Sequence, residues 1–172
     1  MKRLKGSVLA ALLAGGLIVS SGVASAEDIS GTIVRTRVLS ENSRLVGDVT
    51  CTVTGGPCMT FGAANIVLSL NGFTITGLAN PATGCSGTSI GTDIGISTNG
   101  QSNVGIRGPG VVQRFQADGI LFMGSVRGWV QGVTTTTNCM SGIRINPTSS
   151  DISVESNVSV RNGHATNPCG GI

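Results

Sequence analysis

The sequence predicts an all-β chain built as a parallel solenoid, a β-helix of about four rungs. Three observations predict it. Apolar residues alternate with polar ones in short runs, such as Ile66-Val67-Leu68-Ser69-Leu70 and Ile143-Arg144-Ile145, each bounded by Asn, Gly or Ser. These runs recur at long range, with Gly-Ile pairs at Gly95-Ile96, Gly119-Ile120, Gly142-Ile143 and Gly171-Ile172, spaced 24, 23 and 29 residues apart. No long amphipathic helical pattern follows residue 30.

The elements follow in order. Residues 1–26 read as a bacterial-type signal peptide. Met1-Lys2-Arg3-Leu4-Lys5 is a basic start, Val8 to Val19 is an apolar run of twelve, and Ala24-Ser25-Ala26 is a cleavage motif that leaves Glu27 first. A membrane span needs about 20 apolar residues, so cleavage is favoured over an uncleaved anchor. No cysteine lies near the cleavage motif, which argues against lipoprotein processing. The expected destination is secreted or periplasmic, outside the cytoplasm, with no stable membrane insertion after cleavage. Residues 27–56 are expected to cap the stack at its N-terminal end, and residues 57–172 to form the β-helix.

Each unit starts with its Gly-Ile pair, and Cys58-Met59 fills that slot one turn earlier. A second strand follows at Ile66 to Leu68, Val104 to Ile106, Gly128 to Val130 and Ile152 to Val154. A third follows at Phe73 to Ile75, Val111 to Val112, Val133 to Thr135 and Val158 to Val160. A unit this small cannot bury its own apolar face and must stack on a copy of itself. Inward positions then hold Ile, Val, Leu and Phe, including Phe61 and Phe122, while Thr, Ser, Arg and Gln face out. Asn and Gly take the corners. The competing fold, an antiparallel sandwich, requires longer strands and two-residue hairpin turns.

Charge excludes some functions. The chain has 172 residues and a formal charge of +3, and Lys2, Arg3 and Lys5 carry that excess. After residue 26 eight arginines balance eight acids and there is no lysine. The electrostatic case for nucleic acid or an anionic membrane therefore fails. In an oxidising compartment the five cysteines are disulfide candidates. Cys51 and Cys58 bracket a turn-forming Thr-Val-Thr-Gly-Gly-Pro stretch. Cys139 and Cys169 precede successive Gly-Ile pairs by three and two residues, so they share a corner one rung apart, within disulfide reach. Cys85, in the insertion from Pro81 to Ser89, is left over. With one histidine, His164, and no CxxC motif, neither a metal site nor a cofactor is expected.

Leu45-Val46-Gly47-Asp48-Val49-Thr50-Cys51, followed by Asn65-Ile66-Val67-Leu68-Ser69-Leu70-Asn71-Gly72-Phe73-Thr74-Ile75-Thr76-Gly77, resembles the opening of right-handed parallel β-helix proteins of the pectin-lyase-like superfamily. Their first full rung often reads Leu-Asp-Leu-Asn-Gly and ends in Ile-x-Gly; here Ser69 replaces the Asp. The likeness spans about residues 45 to 172 and implies a right-handed coil. It implies no single activity, because the superfamily includes polysaccharide lyases, hydrolases, carbohydrate-binding envelope proteins and chains of unknown function. The stack also reads as short, stopping where a fifth rung would begin. The expectation is missing C-terminal rungs or a partner chain over the open end.

Candidate residues are few. Asp93, Asp118 and Asp151 stand at different offsets from their Gly-Ile pairs, so they read as turn caps rather than a calcium cluster. No carboxylate pair suggests a hydrolase, and no catalytic residue is assigned. Arg107, Gln131 and Glu155 lie 24 residues apart and form an outward column, with Ser69 as its first member and Gln131 able to bond both neighbours. This is either a solvated ladder or a polar groove for sugar hydroxyls. Trp129 lies between two inward positions and points out, as the one candidate platform for a sugar ring. Arg114 and Arg144 are cations for an acidic sugar or simple partners of Asp118 and Asp151. His164 reads as a solvated loop residue. The expected function is a non-catalytic exported scaffold that binds polysaccharide along one face through Trp129, Arg107, Gln131 and Glu155. The alternatives are an N-terminal fragment of a polysaccharide lyase or glycoside hydrolase, and an adhesin-type structural β-helix.

Overall fold

Fifteen short strands, all paired in parallel, make two curled sheets among the residues described. The structure is a computed structural model and describes residues 26–79, 85, 92–164 and 171–172. The signal-peptide reading of residues 1–26 thus lies almost wholly outside the described residues. The strands are β1 (Glu27–Ile33), β2 (Arg37–Leu39), β3 (Ser43–Cys51), β4 (Met59–Phe61), β5 (Val67–Ser69), β6 (Thr74–Thr76), β7 (Ile96–Ser97) and β8 (Gly105–Arg107). They continue with β9 (Val111–Gln113), β10 (Ile120–Phe122), β11 (Trp129–Gln131), β12 (Thr134–Thr136), β13 (Ile143–Ile145), β14 (Ser153–Glu155) and β15 (Val158–Val160). No described residue is helical.

The larger sheet runs β14-β11-β8-β5-β3-β6-β9-β12-β15, with β1 also on β3, and the smaller runs β13-β10-β7-β4-β2. Strand β3 joins the two arms of the larger sheet. Its start pairs with β5 (Arg44 opposite Ser69) and its end with β6 (Val49 opposite Ile75). Strand β1 skips three residues of β3 between Ile29 and Gly31, where the register shifts. The segment read as a cap, 27–56, therefore supplies the central strand of the larger sheet, with β1 beside it, and the edge strand β2 of the smaller.

The stacking interval is sequence-encoded. Gly105, Trp129 and Ser153 stand opposite one another on successive strands, and so do Met59, Ile96, Ile120 and Ile143. Met59 thus occupies the Ile slot of its turn. Strand bounds sit about one residue C-terminal to the runs read from sequence, because hydrogen-bond pairing rather than side-chain pattern sets the ends.

The interior is made of columns. Leu68, Ile106 and Val130 stack in one, and Ile75 and Val112 in another, all fully buried. Phe61 and Phe122 are fully buried too. Each such side chain contributes about 1.5–3 kcal/mol on burial. The interior is not wholly apolar, contrary to the inward/outward rule above. Thr98, Ser125, Thr135 and Asn138 are completely buried. They are tolerated because they satisfy one another across turns: Ser125 bonds Thr98, and Thr135 Oγ1 donates to Ser159 Oγ at 3.0 Å. Asn138 accepts from the Phe115 N–H at 3.1 Å and donates to Val112 O at 3.2 Å. Asn162 repeats the device one turn on, accepting from the Asn138 N–H.

One corner position recurs in every turn with left-handed backbone: Asn65 (φ 63°), Asn103 (φ 55°), Arg127 (φ 57°) and Asp151 (φ 55°). Exposed side chains link three of them, since Asn103 donates to Asn65 and Arg127 Nε donates to Asn103, both at 2.9 Å.

Two disulfides are present. Cys51 bonds Cys58 across a Cα separation of 5.9 Å, and Cys85 bonds Cys139 across 5.5 Å. The second corrects the expected Cys139–Cys169 pairing. Cys139 is buried beside Ala79 and Cys85, so the long insertion rather than the next rung supplies its partner. Cys169 lies outside the described residues. Among the described residues no helix is long and apolar enough to cross a membrane.

Candidate ligand-binding face

Strands β5, β8, β11 and β14 present one outward face, and parallel register turns it into columns. The column expected from Ser69, Arg107, Gln131 and Glu155 is formed, with those residues directly opposite one another. It is longer than the sequence suggested: Arg44 of β3 stands opposite Ser69, and Asp28 of β1 opposite Arg44. Sequence reading missed both because β3 precedes the repeat and has no Gly-Ile marker. The second column carries Val67, Gly105, Trp129 and Ser153.

Trp129 points outward, and its indole lies across Gly105 of the neighbouring strand. A Cβ at Gly105 would fall on that ring, so the absence of a side chain there makes room for it. The Arg107 guanidinium carbon sits 5.4 Å from the ring centroid, within cation–π range. Arg107 therefore turns to the indole instead of to Gln131. Glu155 accepts the Ser153 hydroxyl at 2.6 Å. Gln131 bridging Arg107 and Glu155 is not what the side chains do.

Two grooves flank the Arg107–Trp129 pair. Toward β14, a groove of about 250 Å³ is lined by Trp129, Val130, Gln131, Ser153 and Glu155. Toward β3, a groove of about 370 Å³ is lined in part by Asn42, Arg44, Val67, Ser69 and Arg107. Arg44 Nε donates to Asp28 at 2.7 Å, both side chains being about half exposed, and that bond holds the Arg44 pKa above its ordinary value. Among the described residues no carboxylate pairs with Arg107.

Several of the remaining candidates bond to the fold itself. Asp93 is buried and accepts the Gly55 N–H. Asp118 is buried, accepts the Ser141 N–H at 3.0 Å and lies 3.6 Å from Arg144. Desolvation raises its pKa, opposed by the Ser141 hydrogen bond and by Arg144. Arg114 donates to Ala79 O at 2.9 Å, and His164 is half-buried rather than solvated. Among the described residues no group of three or more His, Cys, Asp or Glu is placed to hold a metal. Comparison with family models, with curated proteins and with solved structures returned no match.

Proposed function

We propose that this chain is an exported right-handed parallel β-helix of the pectin-lyase-like kind, and that it binds polysaccharide, without turning it over, on the β5–β8–β11–β14 face. The observation that carries the reading is the Trp129 indole laid across Gly105 beside a groove whose polar lining residues are Gln131, Ser153 and Glu155. An aromatic face takes the C–H side of a sugar ring, while amide, hydroxyl and carboxylate groups take its hydroxyls. Export is supported by the leader-like residues 1–26 and by two disulfides, which persist in oxidising compartments. The solenoid is supported by the parallel pairing of successive strands, and its right hand by the resemblance of the opening motif.

The test is calorimetric titration with a panel of neutral glycan fragments, on the wild type and on Trp129→Ala. The expected result is saturable binding of at least one fragment, weakened at least about tenfold by the substitution. Binding unaffected by Trp129→Ala would remove the site from this face.

A further inference from the structure

The groove on the β3 side of Arg107 has chemistry that sugar hydroxyls do not explain. Of its lining side chains, two are guanidinium groups and none is a carboxylate. Arg44 and Arg107 come from strands separated by β5, so their backbones stand about 10 Å apart, with the Ser69 hydroxyl between them. Asn42 accepts the Val67 N–H through Oδ1, which leaves its NH2 end as a further donor. Arg44, Arg107, Ser69 and Asn42 therefore all bring donors to the lining of this groove.

We infer that this groove binds a tetrahedral oxyanion ester, a sulfate or phosphate group carried by the bound glycan. The inference rests on the glycan reading above and names the glycan's class. A planar carboxylate is satisfied by one guanidinium edge, as Asp28 satisfies Arg44 Nε. Two guanidinium groups on opposite sides of a hydroxyl match an anion with oxygens pointing in several directions. Arg107 rests on Trp129 without a carboxylate partner, so it can turn to an incoming anion without breaking an ion pair. That movement uncovers the indole, and the sugar ring and its charged substituent then occupy neighbouring grooves.

Trp129 is the chain's one tryptophan, so it reports the event itself. The experiment is fluorescence titration with inorganic phosphate, inorganic sulfate, glucose 6-phosphate and glucose 6-sulfate, with acetate at matched ionic strength as the carboxylate control. A saturable change is expected with at least one tetrahedral anion and not with acetate, and the two sugar esters tell phosphate from sulfate preference. Arg44→Gln should weaken the response at least tenfold, while Asp28→Asn, which frees Arg44, should strengthen it. If Arg44 only supports the fold, Asp28→Asn will instead weaken the response as Arg44→Gln does. That result, an equal response to acetate, or no saturable response overturns the inference. Neutral-glycan binding, measured in parallel, is expected to survive Arg44→Gln. If neutral glycans bind and the tetrahedral anions do not, this inference alone falls. If the inorganic anions bind and no glycan does, the anion groove stands and the glycan reading falls.

Discussion

Gly105 matters because of what lies on it. Adding one methyl group there sets a Cβ against the Trp129 ring, and the ring must lift from the sheet. Gly105→Ala is expected to cost about 1–3 kcal/mol by overpacking, to shift the tryptophan emission and to weaken glycan binding. Denaturant unfolding followed by emission measures all but the last, and an unchanged spectrum would show that the ring does not depend on this glycine. Asp118 makes a second prediction at this scale. Burial lifts its folded-state pKa above the unfolded value of about 3.9. The native state then holds that proton more tightly than the unfolded chain. Stability gained through Asp118 rises as pH falls through the folded pKa and levels off below the unfolded one. Asp118→Asn keeps an acceptor for Ser141 but has no proton to bind. Melting temperatures of the two proteins, compared from pH 7 down to pH 4, should move in the wild type's favour. A constant difference would mean that Asp118 does not titrate in that window.

At the scale of elements, alternation and interval were enough to locate most strands. Ile106, Val130 and Val154, or Arg107, Gln131 and Glu155, can be read as columns because side-chain direction alternates every residue and the turn length is nearly constant. The buried polar positions were not legible in the same way. Thr135 and Asn138 look like outward residues by type, and only their partners on neighbouring turns make burial affordable. Arg44 was hidden because β3 is a single long strand serving both arms of the sheet. Asn138→Ala should strand the Phe115 N–H in the interior and remove the amide that bonds Val112 O. A buried orphan costs about 1–3 kcal/mol, and a loss of that order is expected in chemical denaturation. Asn162→Ala, at a half-exposed position, should cost less. The reverse order would show that the two asparagines are not equivalent steps of one ladder.

For the molecule as a whole, the two cross-links act over very different lengths of chain. Cys51 and Cys58 are 7 residues apart in sequence, and Cys85 and Cys139 are 54 apart. On a chain-entropy estimate the first restrains the unfolded state by about 2.5 kcal/mol and the second by about 4 kcal/mol. Cys85→Ala with Cys139→Ala should therefore lower stability more than Cys51→Ala with Cys58→Ala, read from denaturation midpoints at equal slope. The sequence-based pairing of Cys139 with Cys169 rested on the regular rise of the stack. It failed because the insertion after β6 breaks that regularity and brings Cys85 to the corner first.

The near-constant interval between equivalent strands has a consequence for how such a surface changes over time. Gly105, Trp129 and Ser153 are interchangeable addresses 24 residues apart. Copying or excising one whole interval rejoins each strand to a neighbour of the same register. An in-frame genetic slip of that size alters the reach of the face in one event, while the register of the remaining strands is conserved. If the face binds polysaccharide as proposed, the length of polymer it spans becomes a heritable quantity that varies by whole steps.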